Sequence, residues 1–356
     1  MSSTKRYASV DALRGLTVAG MLLVNNPGDW GHVMDPLEHA AWHGCTPTDL
    51  IFPFFLFIVG VSLALAMGGR IAAGAPAGPL AATVLKRAAR ILVLGLVLHL
   101  LAWWIMSKPE LRIPGVLQRI GICFALTGLA AIYLRERAQW ALIAALLLGY
   151  AGLLLWGGSL DKVGNIASQT DAWLLGRFGY EWNAQTGLGH DPEGVVSTLG
   201  ALATTLLGLR AGEWLRRASL RPLLAFGAAA ALAGLLLDQL GLPLNKQLWT
   251  GSFVFWTGGL ACLALALAHW LIDRRGLPPL GRAFGVNAIA AYAGAWMTTV
   301  LLEGLGLMGP LYAHGFGWLK PLVGPYGQSL AFALAFVAVW ALIVKVLDKR
   351  GVYIKV

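Results

Sequence analysis

The sequence predicts an all-α, polytopic membrane protein: a bundle of about ten transmembrane helices with both termini in the cytoplasm. Three observations carry this expectation. Of 356 residues, 58% are hydrophobic and 12% are charged, whereas a soluble domain carries about twice that charged fraction. Apolar stretches long enough to cross a bilayer recur along the chain. Basic residues gather in alternate connections and acidic residues in the others.

Taken in order, the stretches fall at roughly 8–26, 49–68, 90–106, 116–134, 139–157, 195–213, 221–240, 249–271, 284–303 and 328–347, each near the ~20 apolar residues that a span requires. The first follows a short basic segment with no small-residue cleavage site after it, so it is expected as a retained helix. Counting from a cytoplasmic N-terminus, most of the 27 Lys and Arg residues fall inside and most of the 17 Asp and Glu residues fall outside. That bias is the positive-inside signature. It also accounts for the net charge of +10 without nucleic acid, and a soluble nucleic-acid binder is excluded.

The longest polar segments, 27–48, 158–194 and 304–327, all lie on the outer side, while inner connections such as Arg135-Glu136-Arg137 are short. No segment is long enough to fold alone, so residues 1–356 are expected to form a single transmembrane domain. Long, acidic outer loops point to a substrate handled outside. Small-residue spacings such as Gly121 to Ala125 and Gly227 to Ala231 permit close helix packing, but in so Gly- and Ala-rich a chain they occur near chance frequency. Cys45, Cys123 and Cys262 show no pairing or metal spacing and are read as small apolar fillers.

Chemistry concentrates before the second span. Thr46-Pro47-Thr48-Asp49 has the grammar of a helix start, with Thr46 as cap, proline at the first position and Asp49 at the third. Asp49 there either only satisfies backbone donors or also orients the imidazole of His39, ten residues earlier. A carboxylate partner selects an imidazole's tautomer and raises its basicity, which suits proton transfer. His32, His39 and His43 match no common zinc spacing, and no metal is expected. Asn25 closes the first span as either a helix terminator or a hydrogen-bond donor to a carbonyl oxygen gaining charge.

Arg112-Ile113-Pro114-Gly115-Val116-Leu117-Gln118-Arg119 is the second unusual stretch. Arg112 and Arg119 lie where positive charge is otherwise scarce. Structural pairing with Asp49, Glu110 or Asp191 is one reading; a bidentate grip on phosphate is preferred. Asp191-Pro192-Glu193-Gly194 opens another span, Asn245-Lys246 precedes the eighth, and Asn287 lies in the ninth. All are expected at the outer ends of helices, converging on one cavity.

Together these residues resemble the heparan-α-glucosaminide N-acetyltransferase family, including its bacterial homologues. The match runs through Ser9-Val10-Asp11-Ala12-Leu13-Arg14-Gly15, His39 to Trp42, Asp49 to Pro53, Arg112 to Arg119 and Asp191 to Gly194, with a fainter continuation through Asn245-Lys246 and Asn287. The resemblance implies a membrane acetyltransferase that carries acetyl from cytosolic acetyl-CoA to an amino sugar or other glycan on the far side. It implies His39 as the active-site histidine, with Asn25 and Asp49 beside it as catalytic groups. Arg112, Gln118, Arg119, Asn245 and Lys246 are expected at the acetyl-CoA site, and Asp191, Glu193 and Asn287 at the acceptor site. The implied setting is a bacterial inner membrane, with lipid as the surroundings, the active site near the outer face and a homodimer compatible with the fold. The resemblance leads one to expect a segment from Asn25 to His39 a few residues longer than in the animal enzyme and no large lumenal domain before the first helix, which leaves the acceptor open. The competing class is a transporter or flippase for a sugar-linked or anionic substrate, since intramembrane Arg and Asp suit that as well.

Overall fold

The computed structural model describes residues 7–354, and every regular element among them is helical. The order is α1 (Ala8–Asn25), α2 (Ile51–Ala72), α3 (Ala77–Ile105), α4 (Val116–Tyr133), α5 (Glu136–Trp156), α6 (Ile166–Leu175), α7 (Thr198–Arg216), α8 (Arg221–Gln239), α9 (Gly251–Ala268), α10 (Arg282–Val286), α11 (Ala288–Gly304), α12 (Met308–Phe316) and α13 (Lys320–Lys349). Short 3₁₀ turns lie between them, including Pro47–Leu50 immediately before α2. The polypeptide is a multi-pass membrane protein.

Among the described residues, seven helical segments are long and apolar enough to cross a membrane: Pro47–Ala72, Ala77–Ile105, Val116–Tyr133, Glu136–Trp156, Arg221–Gln239, Gly251–Arg274 and Met308–Lys349. The other three expected spans, 8–26, 195–213 and 284–303, are present as helices but do not reach that standard. The reason is packing. α7 is buried almost throughout and carries Thr198, Thr204, Thr205 and Arg210 inward. α1 buries Ser9, Asp11 and Thr17. A helix wrapped by protein needs less apolar surface than one facing lipid. The last of the three is interrupted at Asn287, between α10 and α11.

The central pair is α2 against α7, and glycine sets its distance. A Cβ on Gly60 would lie 1.9 Å from the Thr205 carbonyl oxygen, and one on Gly208 would lie 2.0 Å from that of Phe57. The Gly227 and Ala231 spacing on α8 is likewise used, because Gly259 of α9 sits against the backbone of both. The α2–α7 contact fixes the function of the fold: it holds the residues leading into α2, including Asp49, beside those leading into α7, including Glu193.

Both described ends of the chain lie at the opposite end of the bundle. Asp11 of α1 backs onto Gly285 of α10, and the Ile354 N–H donates to Asn287 Oδ1 at 3.3 Å. Asn287 therefore departs from expectation. It lies with the chain ends, because the helix break places it at the start of α11, and it does not share a cavity with His39.

Candidate active site

The segment from Asn26 to Thr46 has little regular structure, yet it is pinned at both edges. The Gly44 N–H donates to the Leu244 carbonyl at 2.7 Å. Asn245, fully buried, donates from Nδ2 to the Trp42 carbonyl at 2.8 Å and accepts the Leu248 N–H at 2.7 Å. Trp42 in turn donates from Nε1 to the Leu160 carbonyl at 2.8 Å. Asn245, expected to hold a cofactor, thus works as a clamp between two loops.

Within that frame His39 Nδ1 lies 2.7 Å from Asp49 Oδ1. The carboxylate is 1% exposed and the imidazole 47%, so the acid is fixed and the base faces outward. The second carboxylate oxygen accepts the N–H groups of Ala40 and Thr46, each at 3.0 Å, and the Thr46 hydroxyl at 3.1 Å. The two readings of Asp49 are therefore both realised, one per oxygen. Oδ2 caps the turn and Oδ1 orients the imidazole. An ionised Asp49 accepts from Nδ1–H, which leaves the His39 Nε2 lone pair as the proton acceptor.

Lys246 also reaches this centre. Its Nζ stands 3.0 Å from His39 Nδ1, 3.1 Å from Nε2 and 3.6 Å from Asp49 Oδ1. Burial pulls the ammonium below its ordinary range, and the Asp49 and Glu193 carboxylates oppose that pull. Asn25 is exposed at the end of α1 and is not among the groups bonded to His39 or Asp49. The neighbouring Asn26 is buried, donating to Leu22 O at 2.7 Å and accepting from the Thr299 hydroxyl at 2.5 Å. The three loop histidines diverge: His32 pairs with Asp29 at 2.7 Å, and His43 Nδ1 faces Asn245 Nδ2 at 3.3 Å.

A layer of charge lies below. Arg112 Nε donates to Asp191 Oδ2 at 3.0 Å, and its Nη2 donates both to Asp191 Oδ1 and, at 2.5 Å, to Glu193 Oε2. Its guanidinium also lies 4.6 Å from the Tyr180 ring centroid. Burial alone lowers the Arg112 pKa, but the two carboxylates raise it further, so the charge is permanent. Glu193 is largely enclosed, 12% exposed, and the Arg112 and Arg119 charges more than offset the desolvation and hold it ionised. Arg119, 1% exposed, donates from Nη2 to the Gly194 carbonyl at 3.0 Å and to Ser197 Oγ at 2.5 Å, with Trp249 under its guanidinium. Gln118 donates to the Ile113 carbonyl at 2.8 Å and holds the turn before α4. The two arginines and the two acids, expected at separate cofactor and acceptor sites, are engaged chiefly with one another and with the start of α7. A buried guanidinium needs such partners.

Asp171 of α6 is a member of this region that no sequence pattern marks. Its Oδ1 accepts the Val195 and Val196 N–H groups at 2.9 and 3.3 Å, capping the chain before α7. Burial raises its pKa from the usual carboxylate range to about 6. An acid whose folded pKa lies above its unfolded value stabilises the fold only while protonated. Stability from this group is therefore present below about pH 4 and lost as pH rises towards 6, on the order of 2–3 kcal/mol. We expect the melting temperature of the wild type to fall between pH 4.5 and 7 relative to Asp171→Asn, in which the oxygen acceptor survives without the charge. Parallel pH profiles of the two would show no proton uptake at this site.

At the opposite end lies a cavity of about 450 Å³. Arg14, Arg70 and Arg87 line it together with Phe124, Tyr292 and Ile354. Its size suits a ligand of cofactor dimensions. Val116 and Leu117 also line it, one turn from Gln118 and Arg119, and Tyr292 is within electrostatic reach of Glu193 and Arg112. The cavity thus approaches the charge layer along α4. In the sequence its three arginines read only as positive-inside charges.

Helices of this kind around a histidine–carboxylate pair define a multi-pass membrane protein with that pair at one end and a basic cavity at the other. Residues 6–180 match the family model described as heparan-alpha-glucosaminide N-acetyltransferase, catalytic. Across 419 aligned residues the chain is 26% identical to heparan-alpha-glucosaminide N-acetyltransferase of Mus musculus, covering 100% of this chain and 61% of that protein. For the Homo sapiens protein of the same name the identity is 25% over 415 residues, covering 99% and 60%. The chain is thus related to this transferase family, as its motifs imply, and spans about three fifths of the length of these relatives.

Proposed function

We propose that this protein is a membrane acetyltransferase that takes acetyl from acetyl-CoA and places it on the amine of an amino sugar. The observation that carries the reading is the His39–Asp49 pair, 2.7 Å apart, in a chain related to N-acetyltransferases. The acceptor binds at the His39 end, on the outer side of a bacterial inner membrane. Both chain ends and the basic cavity face the cytoplasm, in keeping with the basic-residue bias, and the bundle crosses the bilayer about ten times as a single domain.

The donor enters from the cytoplasmic end. Arg112 is already engaged with two carboxylates, and Arg119 is 1% exposed with its Nη2 on a carbonyl and a hydroxyl, so the phosphates of acetyl-CoA fall to Arg70 and Arg87 at the cavity, with Phe124 beside Arg87 at 5.1 Å. The thioester arm then runs past Tyr292 towards the charge layer. At the far end the acceptor nitrogen attacks the thioester carbonyl, His39 Nε2 takes its proton, and the proton leaves with the thiolate as free thiol. Asp49 supports the imidazolium in between.

Arg70→Gln or Arg87→Gln is expected to weaken acetyl-CoA binding by about 1–3 kcal/mol each, the value of a charge-assisted hydrogen bond. The acceptor KM should move little. Titration calorimetry of the detergent-purified variants with CoA checks this, and unchanged affinity in both would remove the cavity as the donor site.

A further inference from the structure

Lys246 has a geometry that neither ordinary pairing nor loop anchoring explains. Its Nζ is nearly equidistant from the two His39 ring nitrogens, at 3.0 and 3.1 Å. A donor aligned with the Nε2 lone pair would lie much farther from Nδ1, so the ammonium sits off that axis and leaves Nε2 open. It arrives from the α8–α9 loop, fixed by its buried neighbour Asn245. The groups around the pair are Asp49 from the turn before α2, Glu193 from the segment before α7, and Cys45 and His43 from the His39 loop itself. Burial pushes the Cys45 thiol up to about 12, so it stays neutral. Glu193 is already paired with Arg112, so Asp49 and the Lys246 ammonium are the charges in direct reach of the imidazole.

We propose that Lys246 completes the His39–Asp49 centre: standing beside both ring nitrogens and off the Nε2 axis, its ammonium presents N–H donors to the oxygen of the acyl group attacked beside Nε2. This deepens the acetyl-transfer reading and rests on it. As the nitrogen–carbon bond forms, the amine proton passes to Nε2 and the thioester oxygen becomes an oxyanion facing the Lys246 donors. When the carbon–sulfur bond breaks, the carbonyl re-forms and the His39 proton follows the thiolate. A fixed donor aimed at developing charge acts in the transition state more than in the ground state.

The test uses the full-length protein carrying Lys246→Met, with Lys246→Gln where the methionine variant does not fold. kcat should fall by about 100-fold with little change in the acceptor KM, measured on the folded fraction beside melting curves of the same preparations. Lys246→Arg, which keeps a charged donor, should restore part of kcat. A purely structural lysine would lower the melting temperature and leave kcat of the folded fraction in place. A kcat within about threefold of wild type in folded Lys246→Met overturns the proposal. If the wild type itself transfers no acetyl, it is the acetyltransferase reading that fails; if the wild type transfers and the Lys246 variants match it, the Lys246 proposal alone fails.

Discussion

His39→Gln is expected to lower acetyl transfer by about 10²–10⁴-fold, the usual contribution of a positioned general base, while the protein folds and inserts normally. Glutamine offers an amide N–H to Asp49 Oδ1 and has no group to take a proton. The imidazole is about half exposed and packs little, so the stability change should stay within about 1 kcal/mol. His39→Ala should lose activity to the same extent with somewhat lower stability. It leaves Asp49 Oδ1 with only Lys246 at 3.6 Å, although Oδ2 keeps its backbone donors. Initial rates with acetyl-CoA and glucosamine, beside melting curves of the same preparations, separate the two effects. Near-normal turnover in a folded His39→Gln protein would remove the imidazole from the mechanism.

Arg112→Gln should act in the opposite way, on the fold before the chemistry. The guanidinium pairs with both Asp191 and Glu193, and those side chains are 1% and 12% exposed. Removing one partner of a buried pair leaves charge unpaired at a cost of about 3–5 kcal/mol. Here two acids lose their partner at once, though Arg119 still bears on Glu193. We expect a large drop in melting temperature and poor recovery from the membrane, with acetyl-CoA affinity unchanged in the folded fraction. A stable Arg112→Gln protein with weakened donor binding would restore this arginine to the phosphate site.

What the sequence discloses here is mainly what is local. Thr46-Pro47-Thr48-Asp49 announces a helix start because proline and a capping acid act within one turn, and the structure has that turn as Pro47–Leu50 with its capping box. The apolar runs announce helices for the same reason. The Asp49–His39 pair is separated by ten residues and remains within reach of such reasoning. Arg112 and Asp191 are 79 residues apart, and Lys246 and His39 are 207 apart, so nothing in either segment says which partner it meets. That is why the pairing of Arg112 with Asp191 could stand only as one reading beside phosphate, why Arg119 is found on a carbonyl and a hydroxyl, and why a lysine expected near the cofactor stands on the imidazole.

Other misreadings have their own physical origins. α12, Met308–Phe316, lies within a segment that reads as a polar loop, because a nine-residue helix leaves too short a periodic pattern to stand out. α13 starts at Lys320 and passes a break at Gly324, φ +71, beside Pro325, so its first turns do not continue the apolar run that marks the rest. The spacing of Gly227 and Ala231 looks statistical in so glycine-rich a chain, yet Gly259 packs on it. Frequency alone could not distinguish a used spacing from an idle one. Arg14, Arg70 and Arg87 line a cavity while also obeying the positive-inside rule, and one pattern conceals the other.

The most direct test of the central claim is transfer across a sealed membrane. Proteoliposomes loaded with glucosamine and given radiolabelled acetyl-CoA outside should accumulate labelled N-acetylglucosamine within, and vesicles carrying His39→Gln should not. Export of unmodified glucosamine, or an absence of label inside vesicles that hold folded wild-type protein, would contradict the assignment of this bundle as a transmembrane acetyltransferase.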